Sequence, residues 1–266
     1  MPFTLRGNRI YFEGTINGST PLSIQFDLGA GMSNINYKSV KKIKMDFDGK
    51  ANLINSDGTN EARLSSKNEV VLGGFKWQNV DFIETKNMEN WEDAIVGNSL
   101  FLDKIYAIDY DKKAIILYDK LPLINEEFKQ IPMVFEGVCP FIEATLVFNN
   151  QKYTDWFGFD TGNTSNGIIT DEITLKHNIY DKFKKLMGFG STKIAIMPDL
   201  SIAGYTFNKG TITLEKPHAN TKSTTLIGNK ILKCFNVIID NRQGFMYLKP
   251  NSMFQKQEEE DLKKKP

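Results

Sequence analysis

The chain has 266 residues, 41% hydrophobic and 12% aromatic, enough for one large core or two of ordinary size. Its 33 basic and 32 acidic side chains nearly cancel to a formal charge of +1, which argues against a nucleic-acid groove or a polybasic membrane surface. Apolar runs such as Ala114 to Leu117 and Asn236 to Ile239 are strand-sized and too short to span a bilayer. Cys139 and Cys234 have no CxxC spacing, and His177 and His218 lie near neither, so no metal site and no cofactor is expected. The two cysteines read as separate small apolar side chains, and the two histidines fall in polar segments without an obvious partner. The N-terminus lacks the charged-then-apolar layout of a signal peptide. That suits either a cytoplasmic start or a periplasmic or extracellular chain whose export signal has been removed.

Strand signals dominate from the start. Ile10 to Ile16 is β-prone and runs into Asn17-Gly18, a strong hairpin turn signal. The returning strand ends in Phe26-Asp27-Leu28-Gly29-Ala30. Val71 to Trp77 reads as a strand, a tight Gly73-Gly74 turn and a strand back. Ala94-Ile95-Val96-Gly97-Asn98 follows, and then Asp109, which opens a turn into Ala114 to Leu117. A Pro-containing stretch then intervenes, and the whole order begins again. Phe141 to Phe148 leads through Asn149-Asn150 to Phe159-Asp160-Thr161-Gly162-Asn163. Ser201 to Phe207 repeats the glycine turn, Thr225-Leu226-Ile227-Gly228-Asn229 repeats the apolar-apolar-Gly segment, and Asp240 opens the last turn.

The same elements recur in the same order at a nearly constant offset, which marks a duplication. A period this long means two lobes rather than a solenoid. The boundaries read as a first lobe over 1–120, a linker over 121–133, a second lobe over 134–250 and a charged, disordered tail over 251–266. Both lobes read as all-β with short strands.

The repeated Phe-Asp-x-Gly turn has a chemical logic. An Asp at the end of a buried strand is partly desolvated, and the neighbouring Gly lets backbone N–H groups approach its carboxylate. A Thr hydroxyl after the Asp can bond across to the other half. If the two turns meet at a pseudo-twofold axis, Asp27 and Asp160 lie side by side and cannot both ionise readily. The pair then holds one proton and can serve as acid and base around a water. A second repeated acid pair, Asp109 and Asp240, lacks an adjoining Gly and reads as turn capping.

On these residues the chain resembles the retropepsin-like (pepsin/retroviral-type) aspartic protease family, in the form with both lobes fused in one polypeptide, as in bacterial members. The markers are Asp160-Thr161-Gly162, the weaker Asp27-Leu28-Gly29, and the segments ending at Gly97 and Gly228. The resemblance implies two pseudo-symmetric, closed β-barrel-like lobes with a cleft between them, and an aspartic endopeptidase with Asp27 and Asp160 catalytic and with Gly97 and Gly228 packed beneath the turns. It also implies a peptide or protein substrate and a monomer that needs no partner chain. It further implies a flap hairpin, for which the candidate tips are Asn55 to Gly58, with Asp57 and Gly58, and Gly188 to Ser191, with Gly188 and Gly190. Leu28 departs from the pattern, since half of the hydroxyl lock is missing. Asn163 is unusual after the second Gly and could donate to Asp160, as Ala30 cannot for Asp27. The competing reading is a catalytically impaired module that binds a peptide or other ligand in the same cleft.

Overall fold

The computed structural model describes residues 1–55, 58–216 and 224–256, with the backbone alone at 53–55, 58–60 and 189. The protein is mostly β, with 53% of residues in strands.

The first lobe is built from β1 (Thr4–Arg6), β2 (Arg9–Ile16), β3 (Leu22–Phe26), β4 (Ser33–Asn36), β5 (Gly49–Asn55), β6 (Gly58–Leu72), β7 (Phe75–Thr85) and β8 (Ala94–Val96). Period-two alternation sets their faces. Along β2, Ile10, Phe12, Gly14 and Ile16 are buried while Glu13 is exposed. The β2–β3 turn forms where the sequence places it, with Asn17 and Gly18 both at positive φ. Strand order β2-β3-β8-β4-β7-β6, with β6 pairing back onto β2, closes a six-stranded barrel. Its core holds Phe12, Phe26 and Phe101, with Phe26 edge-on to Phe101 at 5.5 Å.

The chain then forms β9 (Ile105–Asp109) and β10 (Ala114–Tyr118) before entering the second lobe. That lobe contains β11 (Lys129–Glu136), β12 (Cys139–Phe148), β13 (Gln151–Asp160), β14 (Gly167–Ile169), β15 (Lys185–Phe189), β16 (Thr192–Ile196), β17 (Asp199–Ile202), β18 (Tyr205–Phe207), β19 (Thr211–Glu215) and β20 (Leu226–Gly228). β21 (Phe235–Asp240) and β22 (Phe245–Pro250) complete it. The order β12-β13-β20-β14-β19-β16 repeats that of the first lobe. One difference is local. The counterpart of the long β6 is split into β16 and β17 at Met197-Pro198, and only β17 pairs back onto β12. Pro198 has no N–H to give a ladder, so the strand breaks there.

The closing strands of the two halves do not stay in their own lobes. β9 pairs antiparallel with β21, placing Ala107 opposite Ile238 and Tyr106 opposite Ile239. A shared sheet β10-β9-β21-β22-β11 therefore joins the lobes. β11 begins at Lys129, inside the stretch expected to link them. Asp109 and Asp240 cap turns as expected: Asp109 Oδ1 accepts the Lys112 N–H at 2.9 Å, and Asp240 Oδ1 accepts those of Arg242 and Gln243 at 3.0 and 3.1 Å.

Three expectations need correction or completion. The start of the tail is ordered, since residues 252–256 are helical and Phe254 packs edge-on to Tyr205 and Phe207. His177 has partners, with Nε2 3.3 Å from Asp155 Oδ2 and its ring beside Tyr153; His218 lies outside the described residues. Both cysteines are free thiols. Among the described residues no helix is long and apolar enough to cross a membrane.

Candidate active site

Each Asp-x-Gly turn is delivered by a buried parallel strand pair. β3 runs beside β8 with Phe26 opposite Val96, and the Asp27 N–H donates to Val96 O at 2.9 Å. β13 runs beside β20 with Asp160 opposite Gly228. The apolar-apolar-Gly segments thus lie directly against the turns. Their glycines are needed for space: a Cβ on Gly97 would sit 2.6 Å from Asp27 O, and one on Gly228 would overlap Ser165 O.

The two turns meet face to face. A Cβ on Gly29 would lie 2.6 Å from Asp160 Cγ, and one on Gly162 would overlap the Asp27 carboxyl carbon. Each carboxyl therefore rests on the glycine of the opposite turn, and the two side chains are hydrogen-bonded to each other. Their donor sets differ. Asp27 Oδ1 accepts the Gly29 N–H at 2.8 Å, whereas Asp160 Oδ1 accepts those of Gly162 and Asn163 at 2.8 and 2.9 Å. The Ala30 N–H turns instead to the Asp27 backbone carbonyl at 3.3 Å.

Burial pushes the Asp27 carboxyl well above the usual carboxylate range, helped by the Asp160 charge and by the hydrogen bond to Asp160. The Gly29 N–H and the Arg9 charge pull the other way without prevailing. Burial raises Asp160 too, but the bond from Asp27, the Asn163 and Gly162 N–H groups and Arg9 all oppose it. Both residues keep a half-open surface, yet their carboxyls sit in the crowded contact between turns. The two carboxyls titrate as a pair, and the donor counts favour the proton on Asp27 and the charge on Asp160.

Thr161 supplies the cross-link on which the sequence reading depended. Its Oγ1 accepts the Leu28 N–H at 3.0 Å and donates to Phe26 O at 3.1 Å, fully buried. Leu28 is also fully buried, in the core of the first lobe, and has no hydroxyl with which to return the bond. The expectation for Asn163 needs correction. Its backbone N–H, not its side chain, serves Asp160; the side-chain oxygen instead accepts Ser165 N–H and Oγ–H at 2.9 and 2.6 Å.

The flap candidates divide. Asp57 lies outside the described residues. Gly58 opens β6 opposite Asn55, at the end of the β5–β6 pair. Gly190 sits at φ +54 in the β15–β16 turn, while Gly188 lies two residues back, within the strand and opposite Lys193.

Several residues at the site carry no candidate signal in the strand and turn pattern. Arg9 Nε reaches across the lobes to Gly162 O at 2.8 Å. Asn98 and Asn229, one step after each supporting glycine, are fully buried. Asn98 takes the Tyr106 hydroxyl at 2.8 Å and donates to Val138 O in the second lobe at 3.0 Å. Asn229 takes the Tyr110 hydroxyl at 2.6 Å and donates to Asn8 O in the first. The repeated Gly-Asn pair was the available signal. Among the described residues no group of three or more His, Cys, Asp or Glu could hold a metal ion.

Residues 12–100 match the family model described as aspartyl protease, a span that includes Asp27, the β5–β6 hairpin and Gly97. The match supports an aspartic protease family for the first lobe. The second lobe repeats the strand order and the turn of the first, and lies outside the matched span. No curated protein matches the sequence.

Proposed function

We propose that the protein is an aspartic endopeptidase that hydrolyses peptide bonds with a water held between Asp27 and Asp160. The observation that carries this reading is the mutual seating of the two carboxyls, each on the other turn's glycine and joined by a hydrogen bond. In the proposed reaction Asp160 takes a proton from the water as its oxygen attacks the scissile carbonyl carbon. Asp27 gives its proton to the carbonyl oxygen, forming a gem-diol. Asp160 then passes its proton to the departing nitrogen, the C–N bond breaks, and Asp27 recovers a proton from the diol. The electrostatics favour these roles, since Asp160 has two backbone donors for its charge and Asp27 one. The β5–β6 hairpin lies between Asp27 and Gly97 in the chain, which supports a flap role for it over an extended peptide.

The competing reading, a binding module with no activity, draws on Leu28. Against it stand the carboxyl–carboxyl bond and a Thr161 lock that still spans the lobes. The test is cleavage of a denatured protein by wild type, Asp27→Asn and Asp160→Asn between pH 3 and 8. Wild-type cleavage that both variants lose supports the proposal, and cleavage undiminished in Asp160→Asn refutes it. Activity should need one proton on the pair. The limb at which the pair loses its last proton should lie above the ordinary carboxylate range, because burial and the neighbouring charge both oppose that loss.

A further inference from the structure

A polar pocket of about 320 Å³ opens directly beside Asp27 and Gly162. Its other walls include Arg9, Gln25, Glu89 and Glu92. Strand pairing builds the floor: Tyr11 lies opposite Gln25, and Gln25 opposite Ile95, so these side chains form a row across β2, β3 and β8. Ile24 and Phe26, either side of Gln25, point into the lobe core. Gln25 therefore lies on the other face, yet it is only 3% exposed.

The Gln25 carboxamide makes no hydrogen bond to any described residue and borders the pocket. Its amide atoms are not among the buried unpaired ones, so they open to the pocket, where a bound side chain that cannot bond them would leave them unpaired. The neighbouring acceptors are also under-used. Glu92 is 3% exposed; its Oε1 accepts the Tyr11 hydroxyl at 2.6 Å, and its Oε2 receives only a long 3.4 Å contact from the Glu89 N–H. Glu89 presents its side chain to solvent at the pocket edge. The single cationic wall, Arg9, has its Nε committed to Gly162 O, and its charge also acts on Asp27 and Asp160. In charge, the two Glu carboxylates outweigh Arg9.

We propose that this pocket is a specificity subsite that takes a cationic, donor-rich substrate side chain, Lys or Arg, next to the scissile bond. The inference rests on the endopeptidase reading. The Gln25 oxygen and the second oxygen of Glu92 accept from the ammonium or guanidinium, and Glu89 supplies charge at the mouth. An aliphatic side chain there would leave the Gln25 amide buried and unpaired, so the pocket discriminates against it.

The test is cleavage-site profiling of a randomised peptide library by mass spectrometry, with wild type, Glu89→Lys and Gln25→Leu. Wild type should show Lys or Arg enriched over Leu by about tenfold at one position beside the cut, the usual scale for a charge-assisted contact. Glu89→Lys, an exposed change, should erase that enrichment, and Gln25→Leu should shift the position towards aliphatic residues. Thermal melts confirm that each variant is folded; if Gln25→Leu is not, Glu89→Lys decides alone. Aliphatic or acidic enrichment in wild type, or a Lys/Arg preference that Glu89→Lys leaves intact, overturns the subsite while proteolysis stands. If no peptide is cut at all, the endopeptidase reading falls and this inference with it.

Discussion

Thr161 carries alone a cross-link that a symmetric pair of turns would make twice, so its removal should be unusually costly. Thr161→Val keeps the shape and deletes both bonds, from Leu28 N–H and to Phe26 O. The Leu28 N–H would then be buried without a partner, at a cost of about 1–3 kcal/mol, and the lost Phe26 bond adds about 1 kcal/mol. The sum is about 2–4 kcal/mol. At about 2–4 °C per kcal/mol for a chain of this size, the melting temperature should fall by several degrees. Thr161→Ser retains the hydroxyl and loses one methyl group, worth about 0.8 kcal/mol. Differential scanning calorimetry on the three proteins separates the terms. Peptide-cleavage rates should follow the same order, because displacing a reacting group by about 1 Å costs on the order of a hundredfold. A Val variant within about 1 °C of wild type, or a Ser variant that falls as far as Val, would refute the lock as the main tie between the turns.

Asp27→Asn should be more stable than wild type at neutral pH. A carboxyl raised in the folded state contributes stability that is full below its unfolded value of 3.8 and is lost as pH rises through the folded pKa. Melts from pH 3 to 8 should show the variant's advantage growing with pH, and an advantage that grows towards acid would contradict the assignment. Gly162→Ala places a methyl group on the Asp27 carboxyl, so kcat should drop at least about a hundredfold, read on any cleaved peptide. Gly228→Ala drives a Cβ into the Ser165 carbonyl, and since backbone yields little, unfolding free energy should fall by about 1–3 kcal/mol in urea titration.

What could be read from the sequence was whatever has a local or periodic signature. The hairpin at Asn17-Gly18, the strands ending in Phe-Asp and the apolar-apolar-Gly segments all combine turn chemistry with burial patterns, and their repetition announced two lobes. The β9–β21 pairing had no such mark, because a strand's own residues do not name its neighbour. Arg9 was invisible for a related reason: a charged residue opening a strand reads as solvated surface, and only the approach of the second lobe gives it Gly162 O to hold. Gln25 alternates correctly as an outward position of β3; that the outward face is covered depends on where the distant segment 87–95 folds. Asn163 shows the reverse error. A polar side chain drew attention, while the donor that serves Asp160 is the backbone N–H that any residue but proline would carry there.

The two departures from symmetry point in one direction. On the first turn the residue after Asp27 is an apolar side chain sunk in the core, and the Ala30 N–H is spent on a backbone carbonyl, so Asp27 has a single donor. On the second, Thr161 leaves to lock the lobes, and both following N–H groups are aimed at the Asp160 carboxylate. In a symmetric pair the shared proton would have no preferred home. Here the donor counts favour the proton on Asp27 and the charge on Asp160. Leu28 thus does more than omit a hydroxyl. It belongs to a turn arranged to hold a neutral acid, and under the proposed mechanism that is the group that must protonate the scissile carbonyl.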